Sequence, residues 1–138
     1  MKKISVIICV DERGGMMFNK RRQSRDRVLI QDVIDTFKTP IYIGEYSRLL
    51  FEPHADKYTV CENPLAECPD GAVCFIESFP LMPHLEEICC LTVYNWNRRY
   101  PFDVKLDIDI KKEGFTLTST GEFVGSSHDR ITKEVYVK

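Results

Sequence analysis

Side chains able to do chemistry gather first around Asp26, a carboxylate set among Lys20, Arg21, Arg22, Arg25 and Arg27. Arginine forks suit phosphate or carboxylate partners, so this segment can clamp an acidic ligand. Its plainer reading is a solvated loop and helix start with Asp26 and Asp32 as counter-charges. Cations at a helix N-terminus oppose the helix dipole, so helix stability does not place them there. Asp26 can act as an acid in a closed pocket, or as a first-turn carboxylate worth about 0.3–1 kcal/mol to the helix; spacing alone favours the second. A second group, Trp96 with Arg98, Arg99 and Tyr100, can stack a ring or anchor a loop, and the residue types favour the anchor. A third, Gly125-Ser126-Ser127-His128, offers hydroxyls and an imidazole. No acid partner or nucleophile elbow accompanies it in the sequence, so it reads as a turn between strands.

Other chemistries find less support. The six cysteines form no C-x-x-C pair and sit mostly in strand-like runs, as small apolar residues do. His54, His84 and His128 lie far apart without ligand spacing, so no metal site is expected. With 19 basic and 21 acidic residues the net charge is -2, which excludes a globally basic nucleic-acid binder. Lys2-Lys3 and a largely apolar run of seven residues resemble a signal-peptide start, but Asp11, Glu12 and Arg13 cut the run short. No run reaches the roughly 18 residues needed to span a bilayer. A cytoplasmic protein without membrane association is expected.

The elements that must position these residues begin with Ile4 to Val10, a continuous apolar run of the kind found in strands covered on both faces. It runs into Asp11, a Gly14-Gly15 turn and Met16-Met17-Phe18. Ligands of α/β sheets collect beyond the carboxyl ends of strands, so the Asp11–Asn19 loop stands where a site belongs. Met16, Met17 and Phe18 can line a pocket, close as a lid or plug the loop against the sheet. Ser24 can cap a helix over Arg25 to Phe37, with Val28, Leu29, Val33, Ile34 and Phe37 on one face. A strand at Ile41-Tyr42-Ile43 turns at Gly44 into a second helix, Tyr46 to Phe51. Strands are predicted over Lys57 to Cys61, Ala72 to Ile76 and Cys89 to Tyr94, a loop over Asn63 to Gly71, and a brief helix over His84 to Ile88. From Val104 onward the pattern alternates, over Val104 to Ile108, Phe115 to Phe123 and Ile131 to Val137, marking antiparallel strands with one face exposed. The expected fold is α/β: one three-layer domain over residues 1–138, with a mixed sheet of about eight strands, parallel first and antiparallel at the end.

That element order, with Val10-Asp11-Glu12-Arg13-Gly14-Gly15 closing the first strand, resembles the dihydrofolate reductase family. Asp26 occupies the place of the family's helix-opening acid. Ile41-Tyr42-Ile43-Gly44 echoes a strand ending in a Gly-Arg-x-Thr helix start, and Ser127 to Tyr136 is similar to the last strand. The resemblance implies an NADPH-dependent reductase acting on a pterin- or nucleotide-like small molecule. On that reading Asp26 is the catalytic acid, pairing with an amidine-like edge; Asp11, Gly15, Met16, Met17, Phe18 and Arg22 bind the ligand; Gly44 and Ser47 hold cofactor.

The chain departs from the family where the cofactor phosphates would lie. Glu45 and Ser47 replace Arg and Thr, and a carboxylate opposes charge-assisted phosphate contacts. Glu77-Ser78-Phe79-Pro80 replaces a Gly-Gly turn. Arg21-Arg22-Gln23 replaces Leu-Pro-Trp. The alternative is therefore a non-catalytic module that binds a phosphate ligand or RNA through Arg21, Arg22, Arg25, Arg98 and Arg99. The motifs G-M-M-F-N-x-R-R-Q-S-x-D-R and G-S-S-H-x-x-I-T-K-E-V-Y also resemble a bacterial group sometimes labelled ribonuclease Z. That label implies a zinc-binding H-x-H-x-D-H cluster, which the chain lacks, so a nuclease is the third reading. An alternating C-terminal strand leaves an edge to be covered, making a homodimer an expectation.

Overall fold

The computed structural model describes residues 1–138. Its centre is β1 (Ile4–Val10), hydrogen-bonded in parallel to β6 (Val73–Phe75) on one side and β7 (Ile88–Asn95) on the other. Beyond β6 lie β4 (Ile41–Ile43) and β5 (Tyr58–Val60), also parallel. Beyond β7 comes β10 (Ile131–Val137), antiparallel to it, and then β9 (Thr116–Phe123), antiparallel to β10. The result is a seven-stranded mixed sheet in the order β5-β4-β6-β1-β7-β10-β9.

Residues of β1 divide between the two faces of that sheet, and each face is covered. Val6, Ile8 and Val10 pack with Met16, Met17, Leu65, Leu91 and Phe115. Ile7 packs on the other face with Leu29, Ile30, Val33 and Ile34 of α1 (Arg27–Thr36), and with Phe75 and Tyr94. A strand buried on both sides needs no polar alternation, which is why Ile4–Val10 is apolar at every position but Ser5. Each fully buried Ile or Leu here contributes about 1.5–3 kcal/mol of transfer free energy.

Several local expectations shift. Helix α1 begins at Arg27 with Asp26 as its N-cap, in place of Ser24, because Asp26 Oδ1 accepts from the Val28 and Leu29 N–H groups. Val28 is exposed and leaves the apolar face. The expected second helix is a 3-10 turn over Glu45–Ser47 followed by α2 (Arg48–Phe51). The 63–71 loop contains α3 (Pro64–Glu67), started by a proline whose missing N–H costs nothing at a first helical position. The helix expected at His84–Ile88 is a 3-10 segment, Met82–Glu87. The loop after Asp11 is itself a strand, β2 (Gly15–Phe18), which with β3 (Arg21–Arg22) and β8 (Val104–Lys105) forms a small second sheet. The sheet of about eight strands thus becomes seven plus three, and the expected 104–108 strand contracts to two residues. No helix is long and apolar enough to cross a membrane.

Candidate functional site

Two carboxylates, buried Asp26 and half-buried Glu77, organise the region where β1 and β6 end beside α1. The first is Asp26, whose side chain is 0% exposed. Its Oδ1 accepts from the N–H groups of Val28 (2.9 Å), Leu29 (3.3 Å) and Ser126 (2.9 Å). Its Oδ2 accepts from Ser127 N–H (2.9 Å), Ser127 Oγ (3.3 Å) and His128 Nδ1 (2.9 Å). Burial pushes this carboxyl up, but the His128 bond and the N–H groups of Ser127, Ser126 and Leu29 outweigh it and hold it well below the usual carboxylate range. A carboxylate offers about four lone-pair sites, so Asp26 has no capacity left for an amidine-like ligand edge.

A carboxylate only accepts, so His128 Nδ1 carries the proton it donates to Asp26. In the neutral ring Nε2 is then an acceptor, and two hydroxyls face it: Ser24 Oγ at 3.0 Å and Tyr100 Oη at 3.1 Å. Trp96 stacks on the ring, centroids 4.6 Å apart and planes 27° apart. Gly125 lets the 124–128 loop come this close, since a Cβ there would stand 2.8 Å from both Asp26 Cγ and Ile131 Cδ1. The imidazole that lacked a sequence-level acid partner finds one 102 positions earlier. No local pattern signals that pairing.

The second carboxylate is Glu77, just past β6. Arg22 grips it with two bonds, Nε to Oε2 at 2.8 Å and a terminal guanidinium nitrogen to Oε1 at 3.1 Å, and Ser47 Oγ donates to Oε1 at 2.6 Å. Arg22 also lies over the Tyr46 ring at 4.3 Å and donates to the Tyr46 carbonyl. Three residues that the sequence assigned separately, Arg22 to ligand, Ser47 to cofactor and Glu77 to a replaced Gly-Gly turn, are thereby joined, with Glu77 the acceptor for the other two. Gly44 is covered as well: a Cβ on it would meet the Phe79 ring at 2.8 Å.

The remaining expected ligand residues separate. Asp11 is buried and accepts from the N–H groups of Arg13 and Gly15, the Gln23 amide and the N–H of Tyr100. Burial raises its pKa, but these donors win and lower it, so Asp11 organises the loop. Gly15 is packed against Gln23 and Phe102. Met16 lines a cleft, Met17 is buried in the core and Phe18 is exposed. Trp96 is buried against His128, Arg98 pairs with Asp129 at 3.9 Å and Arg99 with Glu12 at 3.5 Å. Trp96 thus anchors the loop and has no free face for stacking a base.

Two clefts adjoin here. The first, about 380 Å³ with the solvent at its mouth included, is lined by Cys9, Met16, Arg22, Ser24, Asp26 and Trp96 among others. Its interior has room for little more than one water molecule. Cys9 at its wall is held as a thiol, since burial and Glu77 push its pKa up against the opposing pull of Arg22. The second, about 1330 Å³ and open, is lined by Arg25, Arg27, Gln31, His54, Ser126 and Ser127 among others. Neither Arg25 nor Arg27 has a carboxylate partner. No group of three or more His, Cys, Asp or Glu side chains is placed to hold a metal ion.

No sequence-family model matches the chain, and no curated protein matches it by sequence. Among solved structures, 266 chains match it. One is a dihydrofolate reductase from Enterococcus faecalis complexed with NADP(H) and RAB-propyl, with a TM-score of 0.69 over 98% of this chain and 95% of that one, at 12% identity. At that identity the likeness concerns the fold alone. The dinucleotide in that structure can be tested against the residues present here. Phe79 packs on Gly44, Glu45 opens the adjoining turn, and Glu77 with Arg22 and Ser47 fills the space beside it. These residues do not fit a pyrophosphate at Gly44. The chain therefore has a dihydrofolate reductase-like fold.

Proposed function

We propose that this chain is a ligand-binding domain on a reductase-like fold, and that its ligand is a small phosphate-bearing molecule held in the open cleft beside α1. One observation carries the reading: Arg25 and Arg27 line that cleft without acidic partners, while Arg22 is consumed by Glu77. Both arginines are exposed on the concavity, where a planar guanidinium fork suits the geometry of a phosphate, and Ser126 and Gln31 line the same concavity with neutral polar groups. NADPH-dependent reduction is the weaker reading, because the Gly44 end is occupied by Phe79. RNA is also weaker, since Arg98 and Arg99 are paired and Trp96 is buried.

The test is thermal unfolding of the full chain with inorganic phosphate, a nucleoside monophosphate, NADPH and dihydrofolate added separately. Phosphate and the monophosphate should raise the melting temperature saturably, and the paired change Arg25→Ala with Arg27→Ala should abolish the shift. Binding that persists in the double variant, or a shift from NADPH with oxidation of NADPH by dihydrofolate, would overturn the reading. A homodimer through the exposed edge of β9 is a separate proposal, checked by sedimentation with Leu117→Lys on that edge.

A further inference from the structure

The geometry points to a nucleophilic triad, Ser24–His128–Asp26, which we propose hydrolyses small carboxylic esters; it goes beyond the phosphate-binding reading and stands without it. The parts are those that serine hydrolysis needs: a hydroxyl 3.0 Å from the base, and the base oriented through its other nitrogen by a buried carboxylate at 2.9 Å. Asp26 is fixed by four N–H groups, so it holds His128 in the tautomer whose Nε2 can take a proton. Trp96 stacking fixes the ring plane. Ser24 lines the smaller cleft and so is placed where a substrate carbonyl can arrive. Arg25 follows it, lines both clefts, and its N–H donates to no protein acceptor, leaving the donor that in other serine hydrolases stabilises the oxyanion.

In the reaction Ser24 Oγ attacks the ester carbonyl carbon as its proton passes to His128 Nε2. The bond from carbon to the alcohol oxygen breaks, and Nε2 returns the proton to that oxygen. Water then attacks the acyl-Ser24 carbon, giving its proton to Nε2; the carbon–Oγ bond breaks, Oγ regains a proton and the carboxylic acid leaves. The interior of the smaller cleft has room for little more than a water molecule, so the acyl group stays small and outside that interior, and the alcohol portion extends past Arg25 into the larger cleft. Tyr100 competes for the same Nε2 lone pair and so restrains the nucleophile.

The test is incubation of the full chain with a fluorophosphonate probe and, separately, with p-nitrophenyl acetate, followed by peptide mass analysis. The expected result is one adduct, on Ser24, formed in the natural chain or faster in Tyr100→Phe. Ser24→Ala should remove the adduct and lower ester turnover about a hundredfold or more, with its unfolding midpoint little changed. A folded natural chain and a folded Tyr100→Phe variant that both lack a Ser24 adduct would overturn the proposal. So would turnover that survives Ser24→Ala.

Discussion

Asp26 is a buried carboxylate and Glu77 a half-buried one beside the same end of the sheet, yet they are held by different kinds of partner. Asp26 is gripped mainly by main-chain N–H groups from α1 and from the 126–127 loop. Glu77 is gripped by side chains, the Arg22 fork and the Ser47 hydroxyl. Main-chain donors exist whatever the side chains are, so removing Asp26 strands them; side-chain donors can be replaced together with their acceptor. The first carboxylate is a joint of the fold, and the second is a closure laid across it.

The sharpest way to break that contrast is Asp26→Ala. It removes the helix cap and leaves the N–H groups of Ser126 and Ser127 and the His128 Nδ1 proton without acceptors, each a desolvated donor. The expected loss is about 3–4 kcal/mol of unfolding free energy, read from urea denaturation. A loss below about 1 kcal/mol would make Asp26 no more than an ordinary cap. Acid offers the same test without mutation. The folded pKa of Asp26 is depressed, and so is that of Asp11, so both contribute stability that is complete above the unfolded carboxylate range near pH 4 and lost as pH falls below it. Asp26→Asn should flatten this acid limb, and an unchanged slope would show that other carboxylates set it.

How much of this was legible in sequence follows from range. The strands of the large sheet and their succession could be read because they announce themselves locally: Ile4–Val10 by a run apolar at all positions but Ser5, and β10 (Ile131–Val137) by its alternation. The cap of α1 could not, because Ser24 and Asp26 are both good caps. The choice between them is made by Ser126, Ser127 and His128, about a hundred positions away. Once Asp26 is taken, Ser24 is released to face His128. Arg22 was read as a ligand residue and Glu77 as part of a replaced Gly-Gly turn, and their pairing across 55 positions left no trace in either segment. The small second sheet was missed for a related reason, since β3 is two residues, too short for any periodicity, and β8, expected as part of a longer 104–108 strand, pairs with β2 far back in the chain.

The closure should yield less than the joint. Arg22→Ala leaves Glu77 charged and 10% exposed, with Ser47 as its remaining side-chain donor. Full burial of an orphaned charge would cost more, and the slight exposure of both partners lowers the expected loss to about 2 kcal/mol. The decisive comparison is Arg22→Met combined with Glu77→Leu. Apolar residues of similar volume remove the desolvation cost of both ions at once, so the double variant should lie within about 1 kcal/mol of the natural chain, well above the sum of the two single changes. Ser47 then loses its acceptor, but the 3-10 turn carrying it can offer its hydroxyl to solvent. If the double variant is as unstable as the single changes added together, Arg22 and Glu77 act independently and the closure is not a unit. If it is stable, the pair holds the cleft shut without holding the fold together, and the same protein should admit ligands beside Gly44 once Phe79 is also reduced to Ala. NADPH binding that appears only in that triple variant, measured by fluorescence, would separate the fold's capacity for a dinucleotide from the side chains that now obstruct it.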